Sequence, residues 1–431
     1  MNDLPFFPIS SQVDAQGELI IAGHDLYRLA EQYGTPLYLF DAATLRRQAK
    51  TLQQQLAKEY PGESLVAYAA KAYFSLGMAR KLAALDLGVD VVSQGEFKFA
   101  LQAGFAPDRI HLHGNNKSQQ ELEMALDLSI QAIVVDNLDE LALLEKLAGM
   151  KQRKARIWLR ITCEVGLHTH THVDTSSANS KFGLHISNGQ AAEAIRQARS
   201  SRWLELVGLH THLGSQLFEP EVYRQAIQVQ YRLAQSEGYI PAEISPGGGW
   251  GVSYNPADPD DRYDAWVKVV CATVQAECSR LGWPLPRLVL EPGRSLVGRA
   301  GVALYRVGAC KTTPSGLNIA AVDGGLADNP RYALYQAQYS ARLVRQAAAA
   351  PMLETRVVGK FCESGDVLIA SVMLPVTRRD DLLAVPVAGA YQLSMASNYN
   401  LAPRPAVLWL EDQSIEVLQA REQPDQSGWW V

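Results

Sequence analysis

Short apolar runs alternate with longer segments of mixed polarity from Ser64 to about Arg299. Val, Ile and Leu stand at consecutive rather than alternating positions in these runs, which is typical of parallel strands that are buried on both faces. Parallel strands need crossover connections, and the intervening segments are long enough to be helices. The predicted strands are Leu65–Ala70, Val89–Ser93, Ile110–Gly114, Ala132–Asp136, Arg156–Ile161, Leu206–Gly214, Glu243–Gly247 and Leu288–Glu291.

The number of these strand–helix units indicates the fold class. About eight units in roughly 240 residues match the count and size of a (β/α)8 barrel, an α/β fold. An open doubly wound sheet, the competing architecture, rarely needs so many consecutive units. We therefore predict a barrel domain over residues 36–300. Its predicted helices include Ser75–Leu85, Gly95–Ala103, Ser118–Leu128, Leu138–Leu147 and Val222–Ser236.

The pattern changes after about Val302, where strand-like runs are separated by turns and helix is confined mostly to Leu334–Ala349. Strand-like pieces also precede a helix around Ala42–Glu59. Many short strands with turn residues between them are typical of a sandwich or barrel. We predict a second, mostly β domain formed by residues 1–35 and 301–431. Its predicted strands are Leu19–Ile21, Leu37–Phe40, Val302–Val307, Leu317–Ala321, Val367–Ile369, Ala384–Val387 and Ala406–Leu410.

Composition and charge exclude several classes of partner. The chain has a net charge of −5 and a pI of about 6.0, so it has no basic field for nucleic acid or an anionic membrane surface. The N-terminus has no signal-peptide pattern, and no apolar stretch is long enough to span a bilayer. Five scattered cysteines without a Cys-x-x-Cys pair argue against disulfides or structural zinc. We predict a reduced, cytoplasmic protein.

Polar residues end most of the predicted barrel strands. Reactive residues of such barrels come from the carboxyl ends of the strands, where the loops converge. A polar residue at one strand end means little, but a set around one rim indicates a site. The set is Lys71, Ser93, His113, Gly114, Asn115, Asp136, His212, Ser215, Gly247–Gly249, Glu291 and Arg294.

Lys71 is the cation that ends the first predicted strand. A lysine desolvated at this position would have a lowered pKa, as an amine that forms a Schiff base requires. A surface lysine that opens a helix is the simpler interpretation of Lys71 taken alone.

Three consecutive glycines, Gly247–Gly249, close the seventh predicted strand. Glycines let backbone N–H groups approach an anion closely, and the loops after strands seven and eight often bind phosphate in this fold. A tight turn explains the glycines equally well. The run matches neither the P-loop nor the dinucleotide pattern.

His210 and His212 alternate on one predicted strand, and His168, His170 and His172 form a histidine-rich stretch. Such histidines raise the question of a zinc hydrolase. Barrel hydrolases usually have a His-x-His pair on the first strand, whereas this pair is on the sixth. Solvated turn residues are the simpler interpretation of the histidine-rich stretch, and we predict no metal.

Two further segments carry reactive side chains. Glu291 and Arg294 pair a carboxylate with a guanidinium in Glu291–Ser295, which also fits a structural ion pair. Cys362–Asp366 contains a cysteine and two acids in the second domain. A free cysteine is more often a small buried hydrophobe. Neither segment decides a function by itself.

Ordered motifs over nearly the whole chain resemble the fold-type III pyridoxal-phosphate decarboxylase family, whose barrel is like that of alanine racemase. A racemase of this kind would supply a catalytic tyrosine where this chain has Cys362–Asp366. The matching segments are Tyr68–Ala72, Val91–Glu96, His113–Ser118, Ser180–Gly183, Gly208–Ser215, Gly247–Gly249, Glu291–Ser295, Val322–Gly325, Cys362–Asp366 and Gly389–Tyr391.

The resemblance implies pyridoxal 5'-phosphate as cofactor and a role for each matching residue. Lys71 would hold the cofactor covalently, His212 would lie against its ring, and Glu291 would keep the ring nitrogen protonated. Cys362 would return a proton to the substrate carbon after CO2 leaves. The phosphate would be held by Ser215, Gly248, Gly249, Gly293, Arg294 and Tyr391.

The resemblance also implies an amino-acid substrate, meso-2,6-diaminopimelate, and its decarboxylation to L-lysine as the last step of lysine biosynthesis. Arg294, Arg331, Tyr335 and Tyr391 match positions that bind the substrate, and Glu363 matches one that faces the distal ammonium. Buried arginines discriminate against a substrate without the second carboxylate. Ornithine, lysine or arginine as substrate is the alternative within the family.

In the family, the residues that match Cys362 and Glu363 come from the partner subunit. The resemblance therefore implies a homodimer with shared active sites, with the β-rich domain contributing to the active site and the dimer interface. Tyr73 and Tyr332 depart from the family's frequent Asn and Pro, and Cys163–Gly166 from its usual Asn-Pro-Gly. The first two departures lie near the implied site and would affect specificity rather than chemistry.

Overall fold

The computed structural model describes residues 4–164, 179–347, 350–412, 414–423 and 425, which form two compact units. The barrel unit includes residues 49–251 and 261–293, and the β-rich unit includes residues 1–48, 252–260 and 294–431. Helix Ala42–Glu59 has the bounds that the sequence predicts and passes from the β-rich unit into the barrel unit.

Eight parallel strands close the barrel unit, as predicted. Each strand pairs with the next along the chain, and Arg287–Leu290 pairs back with Ser64–Ala69. Ala132–Val135 is buried at all four positions, which explains its continuous apolar run. A short extra strand, Leu184–His185, adds to the fifth. In order, the barrel strands are Ser64–Ala69, Gly88–Val91, Ile110–Leu112, Ala132–Val135, Ala155–Thr162, Leu204–His210, Glu243–Gly247 and Arg287–Leu290.

Side-chain caps fix where the first four helices of the barrel unit begin. The oxygens of Ser75, Ser93, Ser118 and Asn137 each accept a hydrogen bond from a backbone N–H of the first turn. Capped starts keep the loops after the first four strands short, which holds the rim residues in place. The helices are Leu76–Ala83, Gln94–Ala103, Gln119–Leu128, Leu138–Lys151, Gln190–Ser200, Glu221–Ser236 and Tyr263–Leu281, with 3-10 turns at Ala70–Ala72 and Pro107–Arg109.

A buried lysine ties the loop after the third strand to its neighbours. Lys117 Nζ donates to Gly114 O at 2.7 Å, to Val134 O at 2.6 Å and to Glu140 Oε1 at 2.7 Å. The side chains of Lys117 and Glu140 are 1% and 4% exposed. All three ammonium hydrogens thus have acceptors, as a buried cation requires. The pair fixes the turn that follows His113 at the rim.

Removing one member of this ion pair leaves the other charge buried. We expect Lys117→Met to lower the free energy of unfolding by about 3–5 kcal/mol. Replacing both partners, in Lys117→Met with Glu140→Leu, restores most of the loss because no unpaired charge remains. Urea denaturation of the two variants measures this difference. Equal losses in the single and double variants would contradict it.

The β-rich unit is built around the long strand Gly301–Thr312. This strand pairs antiparallel with Leu37–Asp41, Asn318–Val322 and Leu382–Pro386. Apolar side chains of Gly301–Thr312, of three strands and of helix Leu26–Tyr33 form one core, which includes Leu39, Leu304 and Leu408. The three strands are Leu37–Asp41, Leu382–Pro386 and Ala406–Glu411. The remaining strands of the unit are Gln12–Val13, Leu19–Ile21, His24–Asp25, Arg342–Leu343, Met352–Val358, Val367–Pro375, Ala406–Glu411 and Ser414–Gln419. Its other helices are Arg294–Val297 and Arg331–Tyr335, with 3-10 turns at Leu393–Met395 and Tyr399–Leu401.

The predicted helix Leu334–Ala349 is wrong. A short helix, Arg331–Tyr335, ends at Gln336, which has a left-handed φ of 53°. The chain then forms strand Arg342–Leu343, which pairs with Leu382–Pro386. Pairing with a distant strand outweighs the helix propensity of the alanines that follow. Residues 348 and 349 lie outside the described part of the chain.

Strand Leu37–Asp41 lies inside the predicted barrel boundaries but pairs in the β-rich sheet. It is flanked by Gly301–Thr312 and, in parallel, by Ala406–Glu411. All five of its residues are buried, which suits a central strand. In the described residues, none of the helices is both long and apolar enough to cross a bilayer.

Candidate active site

Glu291 follows the eighth barrel strand, and two neighbours fix its carboxylate. His210 Nε2 lies 2.9 Å from Oε2, and Ser245 Oγ donates to Oε1 at 2.9 Å. Burial raises the pKa of Glu291, but His210, His111 and the hydrogen bonds together bring it below its usual value. Glu291 is therefore ionised at neutral pH. Because a carboxylate only accepts hydrogen bonds, the hydrogen lies on His210 Nε2.

Asp90 and His113 lie beside this carboxylate without charge of their own. His113 Nε2 is 3.7 Å from Asp90 Oδ1 and 3.7 Å from Glu291 Oε1. Burial, and then the Glu291 charge, raise the pKa of Asp90 to about 8. Burial lowers the pKa of His113 well below its usual value. Glu291 is thus the negative charge of this buried cluster at neutral pH.

Three possible metal-ligand atoms, from His113, His210 and Glu291, lie within 4.8 Å of one another. Hydrogen bonds to His210 and Ser245 already occupy both Glu291 oxygens. Both oxygens of Glu291 are therefore already hydrogen-bonded, whereas His113 Nε2 has no hydrogen-bond partner among the described residues. The other histidines that raised the question of zinc, His168, His170 and His172, lie outside the described residues.

Lys71 and His212 follow the first and sixth barrel strands. Lys71 is in the 3-10 turn Ala70–Ala72, and its side chain is exposed, so this amine is not desolvated. Burial and the Lys71 charge lower the pKa of His212 well below its usual value. His212 is therefore a neutral imidazole, and its Nδ1 accepts a hydrogen bond from Gly248 N at 3.4 Å.

Backbone packing requires glycine at Gly248 and Gly249. A Cβ on Gly248 would lie 1.9 Å from Glu291 O, and one on Gly249 would lie 2.0 Å from Gly214 O. Gly247 and Gly249 also have positive φ, 76° and 93°. The glycine run therefore packs directly against the loops that carry Glu291 and Ser215. Gly248 and Gly249 are two of the four predicted phosphate-binding residues in this unit.

Two buried arginines lie among tyrosine rings in the β-rich unit. Arg294 Nη1 donates to Tyr254 Oη at 2.5 Å, and Arg331 Nη1 donates to Tyr339 Oη at 2.6 Å. Arg331 also lies over the Tyr254 ring, with 5.0 Å from Cζ to the centroid. Arg294 lies over the Tyr391 ring at 4.6 Å. The structure thus brings together three predicted residues of the site, Arg294, Arg331 and Tyr391.

Arg331 is a buried cation without a carboxylate partner. Its side chain forms no ion pair within the described part of the chain, and its Nε has no hydrogen-bond partner there. Burial lowers the pKa of Arg331, but Tyr254 and Tyr339 raise it overall. Burial raises the pKa of Tyr254, but Arg294 and Arg331 together bring it below its usual value. A buried guanidinium of this kind is suited to bind an anion.

Three other predicted site residues, Tyr335, Cys362 and Glu363, are less buried than the two arginines. Tyr335 ends the helix Arg331–Tyr335 and is half-buried, whereas Arg331 donates its hydrogen bond to Tyr339. Cys362 and Glu363 are exposed, so Cys362 is not a small buried hydrophobe. Among the described residues, no hydrogen bond joins these three side chains to Arg294 or Arg331.

Four features of the site were not predicted from the sequence: Tyr254, Tyr339, Asp90 and the role of His210. Tyr254 is 40 residues from Arg294, to which it is hydrogen-bonded, and no motif marks Tyr254 or Tyr339. The His-x-His spacing was a usable signal for His210, because it places both histidines near the site. His210 contacts Glu291 and His212 contacts Gly248.

Asp328 lies in the turn that precedes Arg331, and two phenols bind it. Oδ2 accepts hydrogen bonds from Tyr38 Oη at 2.9 Å and Tyr305 Oη at 2.6 Å, and Oδ1 accepts one from Gly325 N at 2.9 Å. Burial raises the pKa of Asp328 from 3.8 to about 6, more than these hydrogen bonds lower it.

The raised pKa predicts how stability depends on pH. The folded chain binds a proton at Asp328 more tightly than the unfolded chain, so the stabilisation by Asp328 is complete below about pH 4 and is lost as the pH rises to about 6. We expect the difference in unfolding free energy between wild type and Asp328→Asn to decrease by roughly 3 kcal/mol across this window. Urea denaturation between pH 4 and 7 measures it. A difference that is constant with pH would contradict the raised pKa.

Comparison with known proteins establishes the family. Residues 42–298 match the family described as pyridoxal-dependent decarboxylase, pyridoxal binding domain. This stretch is more than half of the chain. The chain belongs to the pyridoxal-dependent decarboxylase family. Its barrel unit holds nearly all of the matched residues.

Relatives of this decarboxylase are similar over almost their whole length. Diaminopimelate decarboxylase of Halalkalibacterium halodurans is 41% identical over 423 residues, which are 97% of this chain and 96% of the relative. That of Bacillus subtilis is 42% identical over 417 residues, 96% of this chain and 95% of the relative. The resemblance to the decarboxylase family is thereby confirmed.

Solved structures confirm the fold. Diaminopimelate decarboxylase from M. jannaschii in complex with L-lysine has a TM-score of 0.89 and 30% identity, covering 96% of each chain. A lysine/ornithine decarboxylase from Vibrio vulnificus in complex with putrescine has a TM-score of 0.73 at 22% identity, covering 90% of this chain and 97% of that one, which shows the fold alone.

The residues of the barrel unit fit pyridoxal phosphate, the cofactor of this decarboxylase family. An ionised Glu291 suits a protonated ring nitrogen, and a neutral His212 suits contact with an aromatic ring. The amine of Lys71 is exposed and therefore open to an aldehyde. Charge states and exposure thus agree with the cofactor.

Proposed function

We propose that this chain converts meso-2,6-diaminopimelate to L-lysine and CO2, the last step of lysine biosynthesis. The single observation that carries the choice of substrate is Arg331, a guanidinium that is 5% exposed with no carboxylate beside it in the described residues. A substrate with a second carboxylate supplies the missing anion. Ornithine, lysine and arginine lack that group and leave the cation unpaired. The names of the full-length relatives support the same reaction.

We also propose which residues bind the cofactor. Lys71 would hold pyridoxal 5'-phosphate through its amine, and His212 would contact its ring. Bound pyridoxal phosphate supplies an electron-withdrawing ring that stabilises negative charge on the substrate α-carbon. Glu291, held by Ser245 and His210, stays ionised and keeps a proton on the ring nitrogen. The residues proposed to hold the phosphate are Ser215, Gly248, Gly249, Gly293, Arg294 and Tyr391.

Substrate binding and proton return complete the proposal. Arg294, Arg331, Tyr335 and Tyr391 bind the carboxylate at the end of the substrate that does not react, and Glu363 binds the distal ammonium. The Cys362 thiol gives its proton to the α-carbon after CO2 leaves. Cys362 and Glu363 act in the site of a second copy of this chain, so the active protein is a homodimer. We also propose a cytoplasmic location.

Product analysis tests the substrate assignment. We expect lysine and CO2 from meso-2,6-diaminopimelate, with kcat/KM about 10³-fold or more above that for ornithine, lysine or arginine, because each leaves a buried guanidinium unpaired. Stoichiometric CO2 release, measured together with the amine product, gives the two values. Comparable turnover of ornithine would overturn the choice of substrate but not the class of reaction.

A further inference from the structure

One buried carboxylate joins two segments of the β-rich unit that carry proposed site residues. Asp366 is 4% exposed. Its Oδ1 accepts a hydrogen bond from Leu326 N at 2.7 Å, and its Oδ2 accepts one from Phe361 N at 2.8 Å. Leu326 lies in residues 324–331, here called the arginine segment because it ends at Arg331. Phe361 lies in residues 359–365, here called the cysteine loop because it contains Cys362.

Backbone contacts run along the same junction. Lys360 N donates to Gly324 O at 3.1 Å, which joins the two segments directly. Gly359 N donates to Asp366 O at 2.9 Å, and Asp366 N donates to Glu363 O at 3.0 Å. The cysteine loop is therefore closed on itself at Asp366. Besides the Lys360–Gly324 hydrogen bond, the Asp366 side chain connects this closed loop to the arginine segment.

Two glycines make room for the Asp366 carboxylate. A Cβ on Gly325 would lie 2.4 Å from Oδ1, and one on Gly359 would lie 2.2 Å from Oδ2. Each segment thus places a glycine against the carboxylate so that a neighbouring backbone N–H reaches it. Because a glycine lies against each oxygen, the space between the two segments fits a carboxylate and no larger group.

Hydrogen bonds within the arginine segment connect the part that contacts Asp366 to Arg331. Gly325 N donates to Asp328 Oδ1 at 2.9 Å, and Asp328 N donates to Gly325 O at 3.1 Å. Arg331 N donates to Asn329 Oδ1 at 3.4 Å. Between the Asp366 carboxylate and Arg331 there is thus one hydrogen-bonded turn, which fixes the backbone from which the Arg331 guanidinium extends.

We infer that Asp366 is a positioning residue that holds Arg331 and Cys362 in place at the same time, and that it thereby couples the two active sites of a dimer. The inference rests on the proposed function, in which Arg331 binds substrate for the site of its own chain and Cys362 acts in the site of the other. Each Asp366 then supports substrate binding in one site and proton return in the other.

Hydrogen exchange tests whether Asp366 holds both segments, without measuring activity. In the cofactor-loaded protein, Asp366→Ala is expected to accelerate exchange of the Leu326 and Phe361 amides by about tenfold or more, since each loses a hydrogen bond to a charged acceptor. Asp366→Asn keeps one acceptor oxygen and is expected to accelerate one of the two amides. Acceleration of neither amide by Asp366→Ala, or uniform acceleration across the whole β-rich unit, would overturn the inference.

Asp380→Asn is the matched control for this measurement. Asp380 is exposed, and within the described residues its side chain accepts no hydrogen bond. Its φ of 71° also suits asparagine. We expect its exchange pattern and its activity to equal those of the wild type. An effect of Asp380→Asn as large as that of Asp366→Asn would contradict a specific role for Asp366.

Mixed dimers separate the two effects of Asp366. A dimer of one Cys362→Ala chain and one Lys71→Ala chain has one complete site, with Lys71 and Arg331 from the first chain and Cys362 from the second. Asp366→Asn added to the Cys362→Ala chain is expected to raise KM about tenfold with little change in kcat. Added to the Lys71→Ala chain, it is expected to lower kcat about tenfold through Cys362, with a smaller rise in KM because Glu363 lies in the same loop.

The outcomes distinguish the inference from the function on which it rests. The same kinetic change from both placements would overturn the coupling, because a merely structural role does not depend on which chain carries the substitution. No activity in the mixed dimer before Asp366 is changed would contradict the shared sites of the proposed function. In that case the hydrogen exchange of Leu326 and Phe361 still decides whether Asp366 holds both segments.

Discussion

Lys71→Ala is expected to reduce kcat by at least about 10³-fold, because the variant lacks the amine proposed to bind the cofactor covalently. The other groups that fit the cofactor, His212 and Glu291, remain in place, so weak non-covalent binding persists. The visible absorbance band of covalently bound pyridoxal phosphate is expected to disappear as well. Borohydride reduction of the wild type, followed by peptide mapping, is expected to label Lys71 and no other lysine.

Lys98→Ala is the control for this prediction. Lys98 is an exposed lysine on helix Gln94–Ala103, and its loss removes the same charge from the same unit. Activity and the absorbance band are expected to be unchanged. A Lys71→Ala protein that keeps the band, or a reduced peptide that contains another lysine, would remove the basis of the proposed cofactor site.

The barrel could be predicted from sequence because its strands are local signals. Ala132–Val135 and Glu243–Gly247 are runs of consecutive buried residues, and the predicted bounds differ from the observed ones by one residue or none. Helix starts are equally local, since Ser118 and Asn137 cap the helices that follow them. In the β-rich unit, strands pair with partners that are distant along the chain. The error at Leu334–Ala349 arose because strand Arg342–Leu343 is stabilised by pairing with Leu382–Pro386.

The site could be predicted only as far as its residues lie in motifs. Glu291 and His212 were found because they end strands, but their charge states depend on neighbours that come from other strands. Tyr254 reaches Arg294 and Arg331 from a distant part of the chain. Sequence separation of this kind leaves no periodicity or spacing to detect, so contacts between distant side chains require the structure.

Arg331→Ala is expected to lower kcat/KM for meso-2,6-diaminopimelate by roughly 10²- to 10³-fold, the effect of removing one partner of a buried charge pair. Tyr254 and Tyr339 surround the guanidinium and cannot replace its charge. The loss is expected mainly in KM, because the distal carboxylate binds equally in the ground state and the transition state. Arg331→Lys is expected to recover little, since an ammonium cannot make two parallel hydrogen bonds to a carboxylate.

The cofactor band separates this effect from damage to the cofactor site. Arg331→Ala is expected to keep the band and the pyridoxal phosphate affinity, because Arg331 binds substrate rather than cofactor in the proposed function. Arg378→Ala, which removes an exposed arginine from the same unit, is expected to leave KM unchanged. Discrimination against lysine should fall with the loss of Arg331, since a substrate without the distal carboxylate never used that contact. Unchanged discrimination would mean that another cation binds the second carboxylate.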